Sequence, residues 1–224
     1  MGHGDYGLFR DRLDAGRKLA ERLIGLAGED SIVLAVPRGG VPIGSAIAQR
    51  LACPLDLIIP RKLPIPANPE AGFGAVMGDG TIVLNEPLVR GLKLTKGEID
   101  AIVAEVSAEV RRREQEYRGR TPPPLLSGKQ VILVDDGLAS GYTMIAAAQF
   151  VRRQSPRKVI VAVPVSPVSS IQRVRPFVDD LVCLIAKQTW SFAVASFYRD
   201  FADLTDDEVR AYIAHHQKRR DVRP

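Results

Sequence analysis

Cysteine and histidine are scarce in this chain, and their scarcity excludes several classes of protein. The 224 residues include two cysteines, Cys53 and Cys183, and three histidines. Two isolated thiols cannot form a disulfide framework, and neither stands at the spacing of a zinc-binding motif. We therefore expect a fold without disulfides or structural zinc, in a reducing cytoplasmic environment, with both thiols packed in the interior.

Long apolar runs are also missing. The longest, such as Ile32–Val36 and Val159–Val165, are much too short to span a bilayer. The first residues, MGHGDYGLFRDRLD, contain no apolar segment of the kind found in secretion signals. The composition is ordinary for a globular protein, and the length allows one large domain. We therefore expect a single cytoplasmic domain over residues 1–224, without membrane contact.

The charge balance is moderately basic, with a net charge of +5 and a sequence pI near 9.4. Much of the excess lies in Arg111–Arg120 and Lys218–Arg223, which are typical of a solvated helix face and a charged tail. A basic protein favours anionic partners, either nucleotides or nucleic acid. Since no recognisable DNA-binding module is present, nucleic acid is not the expected partner.

The apolar pattern alternates between strand-length runs and helical stripes. Strands are predicted at Ser31–Val36, Leu55–Ile59, Val131–Val134, Val159–Val163 and Leu181–Ala186. Helices are predicted at Asp11–Leu26, Val41–Leu51, Thr143–Arg153 and, behind a Thr95–Glu98 capping box, from Ile99 to about Tyr117. Because the strands are apolar on both faces and alternate with helices, the sequence predicts an α/β fold with a parallel sheet.

Two segments fall outside this alternation. The proline-rich stretch Pro60–Pro69 is predicted to be an extended loop, followed by a hairpin around Gly78-Asp79-Gly80. The segment Thr189–His216 carries aromatic and acidic residues with a helix near its end, and it is predicted to form a small cap with the N-terminal helix.

The run VILVDDGLASGYTM, residues 131–144, carries the most specific chemistry. Asp135 and Asp136 leave a buried strand at the sheet's carboxyl end, where parallel α/β sheets bind ligands. The small-residue loop that follows turns into a helix, so main-chain N–H groups and the hydroxyls of Ser140 and Thr143 form an anion site. A Walker P-loop is excluded because Tyr142 stands where that motif needs lysine.

This run resembles the phosphoribosyl-diphosphate (PRPP) signature of type I phosphoribosyltransferases. The resemblance implies a Rossmann-like parallel-sheet core over about residues 28–187. It also implies a flexible hairpin loop over about 60–95, a cap, or hood, from 1–27 and 188–224, and a homodimer. In that family the two acids bind the ribose hydroxyls, here Asp135 and Asp136. The 5′-phosphate would be held by Leu138, Ala139, Ser140, Gly141, Tyr142 and Thr143, chiefly through main-chain N–H groups.

Two further segments match the family's pattern. The first is AVPRGGVPIG, residues 35–44, in which the resemblance assigns Arg38, Gly39 and Gly40 to binding of the diphosphate. In the family, the peptide bond at the basic residue is cis or otherwise strained. Taken alone, Arg-Gly-Gly is more often an ordinary turn. Arg61 and Lys62 match the mobile loop that brings a basic residue to the diphosphate, although a solvated basic loop is the alternative.

The implied reaction transfers the phosphoribosyl group from PRPP to a nitrogenous base and releases diphosphate. Asp135, Asp136, Arg38 and Lys62 are the candidate catalytic residues. Mg²⁺ is the expected cofactor, bound through PRPP oxygens, with Asp135 or Asp136 as candidate direct ligands.

The main departure from the family's pattern is Ala139, which stands where the branch that salvages 6-oxopurines has an aspartate. Hypoxanthine or guanine salvage by that route is therefore not expected, and the acceptor base stays open. The aromatic residues of the cap either stack on a base or pack into the core; they are Trp190, Phe192, Phe197 and Tyr198. A PRPP-binding regulator without transferase activity, or an idle or PRPP-hydrolysing scaffold, is the alternative function.

Overall fold

In a computed structural model, which describes residues 8–66, 68–119, 121–189 and 191–221, a five-stranded parallel sheet forms the centre of the molecule. Its strands are β1 (Ser31–Ala35), β2 (Leu55–Leu57), β6 (Gln130–Val134), β7 (Lys158–Pro167) and β8 (Asp180–Lys187), in the order β2-β1-β6-β7-β8. A separate antiparallel sheet contains β3 (Arg61–Ile65), β4 (Asn68–Val76) and β5 (Ile82–Leu84). The predicted α/β fold with a parallel sheet is confirmed.

Seven α-helices connect and cover these strands in the described part of the chain. They are α1 (Arg12–Leu23), α2 (Gly40–Leu51), α3 (Glu86–Leu92), α4 (Lys96–Arg118), α5 (Tyr142–Arg152), α6 (Val168–Val174) and α7 (Asp206–Asp221). The Thr95–Glu98 capping box is present at the start of α4, as predicted. No helix among the described residues combines the length and apolarity that crossing a membrane requires.

Each face of the parallel sheet is covered by its own apolar core. On one face, Val33 and Ile132 pack with α1, α2 and the buried residues of α7. On the other, Leu34 and Leu133 pack with α5. Alternate residues of each strand therefore point into two different cores, which is why these strands read as continuous apolar runs rather than as alternating patterns.

The prediction of an extended loop at Pro60–Pro69 is wrong. Arg61–Ile65 forms β3, which pairs antiparallel with β4, and the pairing register shifts on both sides of Pro64. β3 is an edge strand, where proline is tolerated because one side of the strand needs no ladder hydrogen bonds. The hairpin predicted around Gly78-Asp79-Gly80 is confirmed as β4 and β5. We call β3, β4 and β5 the hairpin sheet.

The first and last helices both pack on α2. The buried hydroxyl of Ser45 in α2 lies 2.9 Å from Nε2 of His216 in α7, and α1 lies along the same helix. Gly16 of α1 makes this approach possible, because a Cβ there would lie 2.8 Å from the carbonyl oxygen of Ile43. Helices from opposite ends of the described chain are therefore brought together on α2, the helix that follows the turn after β1.

Candidate active site

The two predicted anion loops meet at the carboxyl edge of the sheet. β1 and β6 are neighbours in register, with Ala35 opposite Val134, so the turn after β1 lies beside the loop after β6. A hydrogen bond of 2.8 Å from the Val36 N–H to the Val134 carbonyl fastens the two loops at their base. We call residues 36–40 the first loop and residues 137–143 the second loop.

The first loop packs tightly against the strand beside it. The Pro37–Arg38 peptide bond is cis, in agreement with the expectation for this position. A Cβ on Gly40 would lie 2.7 Å from the Val134 carbonyl oxygen and 3.0 Å from the Cα of Asp135, while one on Gly39 would collide with the Asp136 carboxylate. Both glycines are therefore required by close approach of neighbouring atoms.

Arg38 projects from the first loop into solvent. Its side chain is 42% exposed, and its Nη1 lies 3.8 Å from the Asp206 carboxylate at the start of α7. Asp206 also accepts a 2.5 Å hydrogen bond from the Tyr117 hydroxyl, which holds the pKa of Asp206 below its ordinary value. Burial, assisted by Asp206, raises the pKa of Tyr117 to about 12, so this phenol stays a donor.

The second loop is open and leads into α5. Gly141 has a φ of +84° and precedes the first residue of the helix, so the N–H groups of the first turn have no carbonyl partner within α5. The carbonyl groups of Ala139 and Ser140 are held from α6, by the Ser170 hydroxyl at 2.6 Å and Nη1 of Arg173 at 2.5 Å. This arrangement provides the donor geometry expected of an anion site.

Two of the predicted main-chain donors are already used within the fold. The Leu138 N–H donates to the Val165 carbonyl at 3.0 Å, and the Gly40 N–H donates to the Val36 carbonyl at 2.9 Å. Each of these N–H groups is therefore occupied, because an amide hydrogen forms one strong hydrogen bond at a time. The candidate donors are the N–H of Gly39 in the first loop and those of residues 139–143 in the second.

The adjacent acids have different surroundings. Asp135 lines a cavity of about 710 Å³, whereas the Asp136 carboxylate accepts a 2.9 Å hydrogen bond from Nε of Arg12 in α1. Burial, reinforced by the charge of Asp136, holds the pKa of Asp135 well above its ordinary value. Burial also raises the pKa of Asp136, but Arg12 opposes this shift.

The cavity joins the sheet edge to the hairpin sheet. On one side it is lined by the first loop, Asp135 and Thr143, and on the other by Arg61, Lys62 and Pro64 of β3, with α4 as a third wall. Lys62 is exposed, and Nη2 of Arg61 contacts Glu109 of α4 at 2.7 Å. The structure thus brings Lys62, Arg61, Asp135 and Thr143 to one cavity. Other predicted site residues do not line it, namely Arg38, Gly39, Gly40, Asp136 and residues 138–142.

Comparisons with known proteins agree with this geometry. A sequence model described as the phosphoribosyl transferase domain matches residues 77–202, more than half of the chain. The crystal structure of TT1426 from Thermus thermophilus is 37% identical, with a TM-score of 0.78 over 93% of this chain and 99% of that one. The chain belongs to the phosphoribosyl transferase domain family.

Two proteins of Mycobacterium tuberculosis, from the CDC 1551 and H37Rv strains, share 44% identity with this phosphoribosyl transferase domain over 207 residues. Both bear the name "Putative phosphoribosyl transferase". The match covers 92% of this chain and 46% of theirs, so the chain spans about half the length of these curated relatives.

The sequence analysis missed several residues that support the candidate site. Arg12 reaches Asp136 from α1, and the Tyr198 hydroxyl donates a 2.7 Å hydrogen bond to the main-chain carbonyl of Asp136. Arg173 and Ser170 hold the second loop from α6. The sequence carried one usable signal, an arginine in the first turn of a helix, where acidic residues are favoured.

The aromatic residues of the predicted cap mostly pack against one another. Tyr198 is buried, with its ring 5.4 Å from Phe9 and 5.0 Å from Phe201. Phe192 and Phe197 stack with ring centroids 5.2 Å apart, half-buried against the core. Trp190 lies outside the described residues. For Tyr198 the structure therefore favours packing over base stacking.

The oxygen donors at this site suit a magnesium ion that is bound mainly by substrate. Among the described residues, no three His, Cys, Asp or Glu side chains cluster closely enough to hold a metal ion by themselves. Mg²⁺ prefers oxygen ligands, keeps several waters and commonly uses one or two carboxylates beside substrate phosphates. Asp135, which faces the cavity, is the carboxylate placed to meet such an ion.

Proposed function

We propose that this domain is a phosphoribosyltransferase that transfers the 5-phosphoribosyl group from PRPP to a nitrogenous base and releases diphosphate, with Mg²⁺ as cofactor. One observation carries the proposal: one end of each candidate anion loop (Val36 and Pro37 of the first, Thr143 of the second), the acid Asp135 between them and the basic hairpin residues line a single cavity. PRPP has matching chemistry, with a monophosphate and a diphosphate at opposite ends of a sugar.

Each part of the site then has a defined role. The N–H groups of residues 139–143, together with the Ser140 and Thr143 hydroxyls, hold the 5′-phosphate. Asp135 and Asp136 accept hydrogen bonds from the ribose hydroxyls. Arg38 and the Gly39 N–H hold the diphosphate, while Gly40 allows the first loop to lie against the strand. Lys62 and Arg61 approach from the hairpin sheet.

The chemistry needs no covalent intermediate. As diphosphate departs, the sugar carbon gains oxocarbenium character, as it does in glycoside hydrolysis. Cations fixed near the leaving group stabilise its growing negative charge, which is the role assigned to Arg38 and Lys62. Magnesium adds to this stabilisation when it is bound to the diphosphate. Closure of the hairpin sheet over the cavity would keep water from the activated sugar.

The proposal also covers the extent, oligomeric state and cellular location of the domain. We propose one domain over residues 1–224, acting as a homodimer in the cytoplasm. The family resemblance and the isolated thiols Cys53 and Cys183 support this setting. Light scattering coupled to size exclusion measures the oligomeric state directly.

Isothermal titration of Mg²⁺-PRPP, followed by diphosphate release with a panel of purine, pyrimidine and other nitrogenous bases, tests the proposal. We expect binding, abolished or strongly weakened in Asp135→Asn, and release with at least one base. Asp30→Asn is the matched control, because Asp30 is exposed before β1 at the opposite edge of the sheet. Failure of the wild-type chain to bind PRPP would contradict the proposal.

Ala139 supports a second candidate, a PRPP-binding regulator. Its exposed methyl group cannot exchange a proton with an acceptor at the position where one branch of the family has an aspartate. PRPP binding without diphosphate release on any base, combined with salt-dependent DNA binding that PRPP alters, would favour this function.

A further inference from the structure

Arg12 makes three different contacts from the first turn of α1. Its Nε donates to the Asp136 carboxylate at 2.9 Å, and its Nη1 donates to the Ala202 carbonyl at 2.8 Å. Its guanidinium carbon lies 3.7 Å from the centroid of the Phe201 ring. The side chains of Arg12 and Asp136 are only 10% and 16% exposed, so water screens this ion pair weakly.

The position of Arg12 follows from the helix start. Asp11 is the N-cap, and its side chain accepts a 2.7 Å hydrogen bond from the Asp14 N–H. Arg12 is therefore the first helical residue, pointing toward the sheet edge. A cation is disfavoured at a helix N-terminus, because the helix dipole places partial positive charge there. The Asp136 carboxylate supplies the compensation that this unfavourable placement needs.

Asp136 is also held on its other sides. Its carboxylate lies against Gly39 of the first loop, where a Cβ would collide with it. Its main-chain carbonyl accepts from Tyr198, and its main-chain N–H donates to the Asp135 carboxylate at 2.8 Å. Asp136 thus connects α1, the first loop and the segment around Tyr198, while Asp135 remains at the cavity.

We propose that Arg12 is a positioning residue that fixes the Asp136 carboxylate against the first loop, so that Asp136 meets the ribose in one fixed orientation beside Asp135. This role rests on the proposed function and goes beyond the signature, which contains no residue of α1. It also reduces the charge conflict at the site. With Asp136 paired, one acid rather than two opposes the approach of a polyanionic substrate.

Arginine suits this position better than lysine would. The planar guanidinium donates in two directions at once and stacks on an aromatic ring, whereas an ammonium group is a single point charge. Arg12 uses all of these properties, on Asp136, Ala202 and Phe201. Removing Arg12 leaves the half-buried Asp136 carboxylate without its cation, and removing one partner of a buried ion pair in this way is strongly destabilising.

A double-mutant cycle on PRPP affinity tests the proposal, using Arg12→Met, Asp136→Asn and the double variant. We expect each single change to weaken PRPP binding by about tenfold, with the double variant no weaker than either. The Kd for inorganic diphosphate should follow the same pattern, because the first loop carries the effect. Asp135→Asn should weaken PRPP binding independently, so that its effect multiplies with that of Arg12→Met.

Arg118→Met is the matched control. Arg118 donates to Asp56 at 2.9 Å and to the Leu57 carbonyl at 2.5 Å, with the Arg118 and Asp56 side chains 18% and 15% exposed, but the pair lies away from the cavity-lining loops. It should lower stability to a similar extent while PRPP affinity stays unchanged. Arg12→Lys, which keeps the charge, should recover part of the affinity and provides a folded variant if Arg12→Met unfolds.

Two results would overturn the role of Arg12. One is multiplicative effects of Arg12→Met and Asp136→Asn, which would mean that Asp136 meets the sugar independently of Arg12. The other is unchanged or tighter PRPP binding in Arg12→Met or Arg12→Lys. Absence of PRPP binding in the wild-type chain is a separate outcome, since it contradicts the proposed function itself.

Discussion

The first and second loops serve the same kind of ligand in the proposal but are built in different ways. The first loop lies against a neighbouring strand, and its Gly40 faces main-chain atoms of Val134 and Asp135. The second loop is exposed at Ala139 and Ser140 and is held through its carbonyl groups by side chains of α6. One loop is shaped by the core of the protein, and the other by contacts near the surface.

Because of this difference, mutations in the two loops should affect folding stability and ligand affinity to different extents. A change in the first loop must move a strand of the central sheet, so it should reduce both folding stability and ligand affinity. A change at Arg173, the exposed support of the second loop, displaces a few surface groups, so it should affect affinity alone. Three of the four predictions that follow test this comparison, and the other concerns Asp135, which lies between the two loops.

The largest effect is expected for Gly40→Ala. The new methyl group meets the Val134 carbonyl and the Asp135 Cα, which cannot move without the sheet. We expect a loss of about 1–3 kcal/mol in the free energy of unfolding. Chemical denaturation measures it, with Gly97→Ala as the control, because nothing lies within 4 Å of that site in α4. Wild-type stability in Gly40→Ala would contradict the comparison.

Gly141→Ala should lower the free energy of unfolding by less than Gly40→Ala does. The left-handed φ of +84° strains an alanine, and its Cβ would meet a methyl group of the buried Val174 at 2.9 Å, a side-chain atom rather than the main-chain atoms that Gly40→Ala meets. We expect a loss of roughly 1 kcal/mol. Affinity for inorganic phosphate, followed by titration, should fall because the first N–H groups of α5 turn from the ligand. A larger loss of stability than in Gly40→Ala would reverse the proposed order of the loops.

Asp135→Asn should stabilise the protein at neutral pH while weakening PRPP binding. Burial raises the pKa of Asp135 in the folded state. As pH rises, the Asp135 carboxyl group therefore loses its proton at a lower pH in the unfolded chain than in the folded protein. Wild-type stability is therefore lost as pH rises from about 4, the unfolded pKa, toward the raised folded pKa. Asparagine does not ionise, so Asp135→Asn avoids this loss of stability. An increase of about 1 kcal/mol in the free energy of unfolding would raise Tm by roughly 2–4 °C.

Thermal unfolding of Asp135→Asn and wild type across that pH range measures the difference, with Asp30→Asn as the control. The two curves should converge at acid pH and separate as pH rises. A lower Tm for Asp135→Asn at neutral pH would show that the carboxylate stabilises the fold instead.

The smallest effect is expected for Arg173→Ala. It removes the hydrogen bond to the Ser140 carbonyl from an exposed side chain, so Tm should change by less than about 1 °C. Phosphate and PRPP affinity should fall by a few-fold, because the loop's donors are held less firmly. Arg175→Ala, two residues further along the chain and also exposed, is the control. A large loss of stability in Arg173→Ala would mean that the second loop is also part of the core.

Local sequence patterns predicted the parallel sheet well, because its strands are short runs that are apolar on both faces and alternate with helical patterns. The Pro60–Pro69 prediction was wrong because proline content was taken to exclude a strand, and sequence alone does not reveal which strands lie at an edge. Residue types at strand ends pointed to two candidate anion loops, whose role in binding stays a prediction. Which of their N–H groups are already bonded within the fold was not predictable, because the Leu138 N–H donates to the Val165 carbonyl on a distant strand, β7.

The different environments of Asp135 and Asp136 were not predictable. Adjacent residues that follow a strand have no direction fixed by the sequence, and the arginine that pairs with Asp136 lies 124 positions away in α1. An arginine in a helix's first turn made Arg12 unusual, but nothing in the sequence connected it with the signature. Tertiary packing decided which acid reaches the cavity.

The contacts of Asp136 and Arg38 also set an order of events during synthesis. Asp135 and Asp136 leave the ribosome well before Tyr198, Ala202 and Asp206, which complete the surroundings of the site. A nascent chain that ends after β8 contains every residue of both loops but lacks these contacts. The surroundings of Asp136 and Arg38 are therefore complete only after the segment from Tyr198 to Asp206 has folded back onto the edge of the parallel sheet.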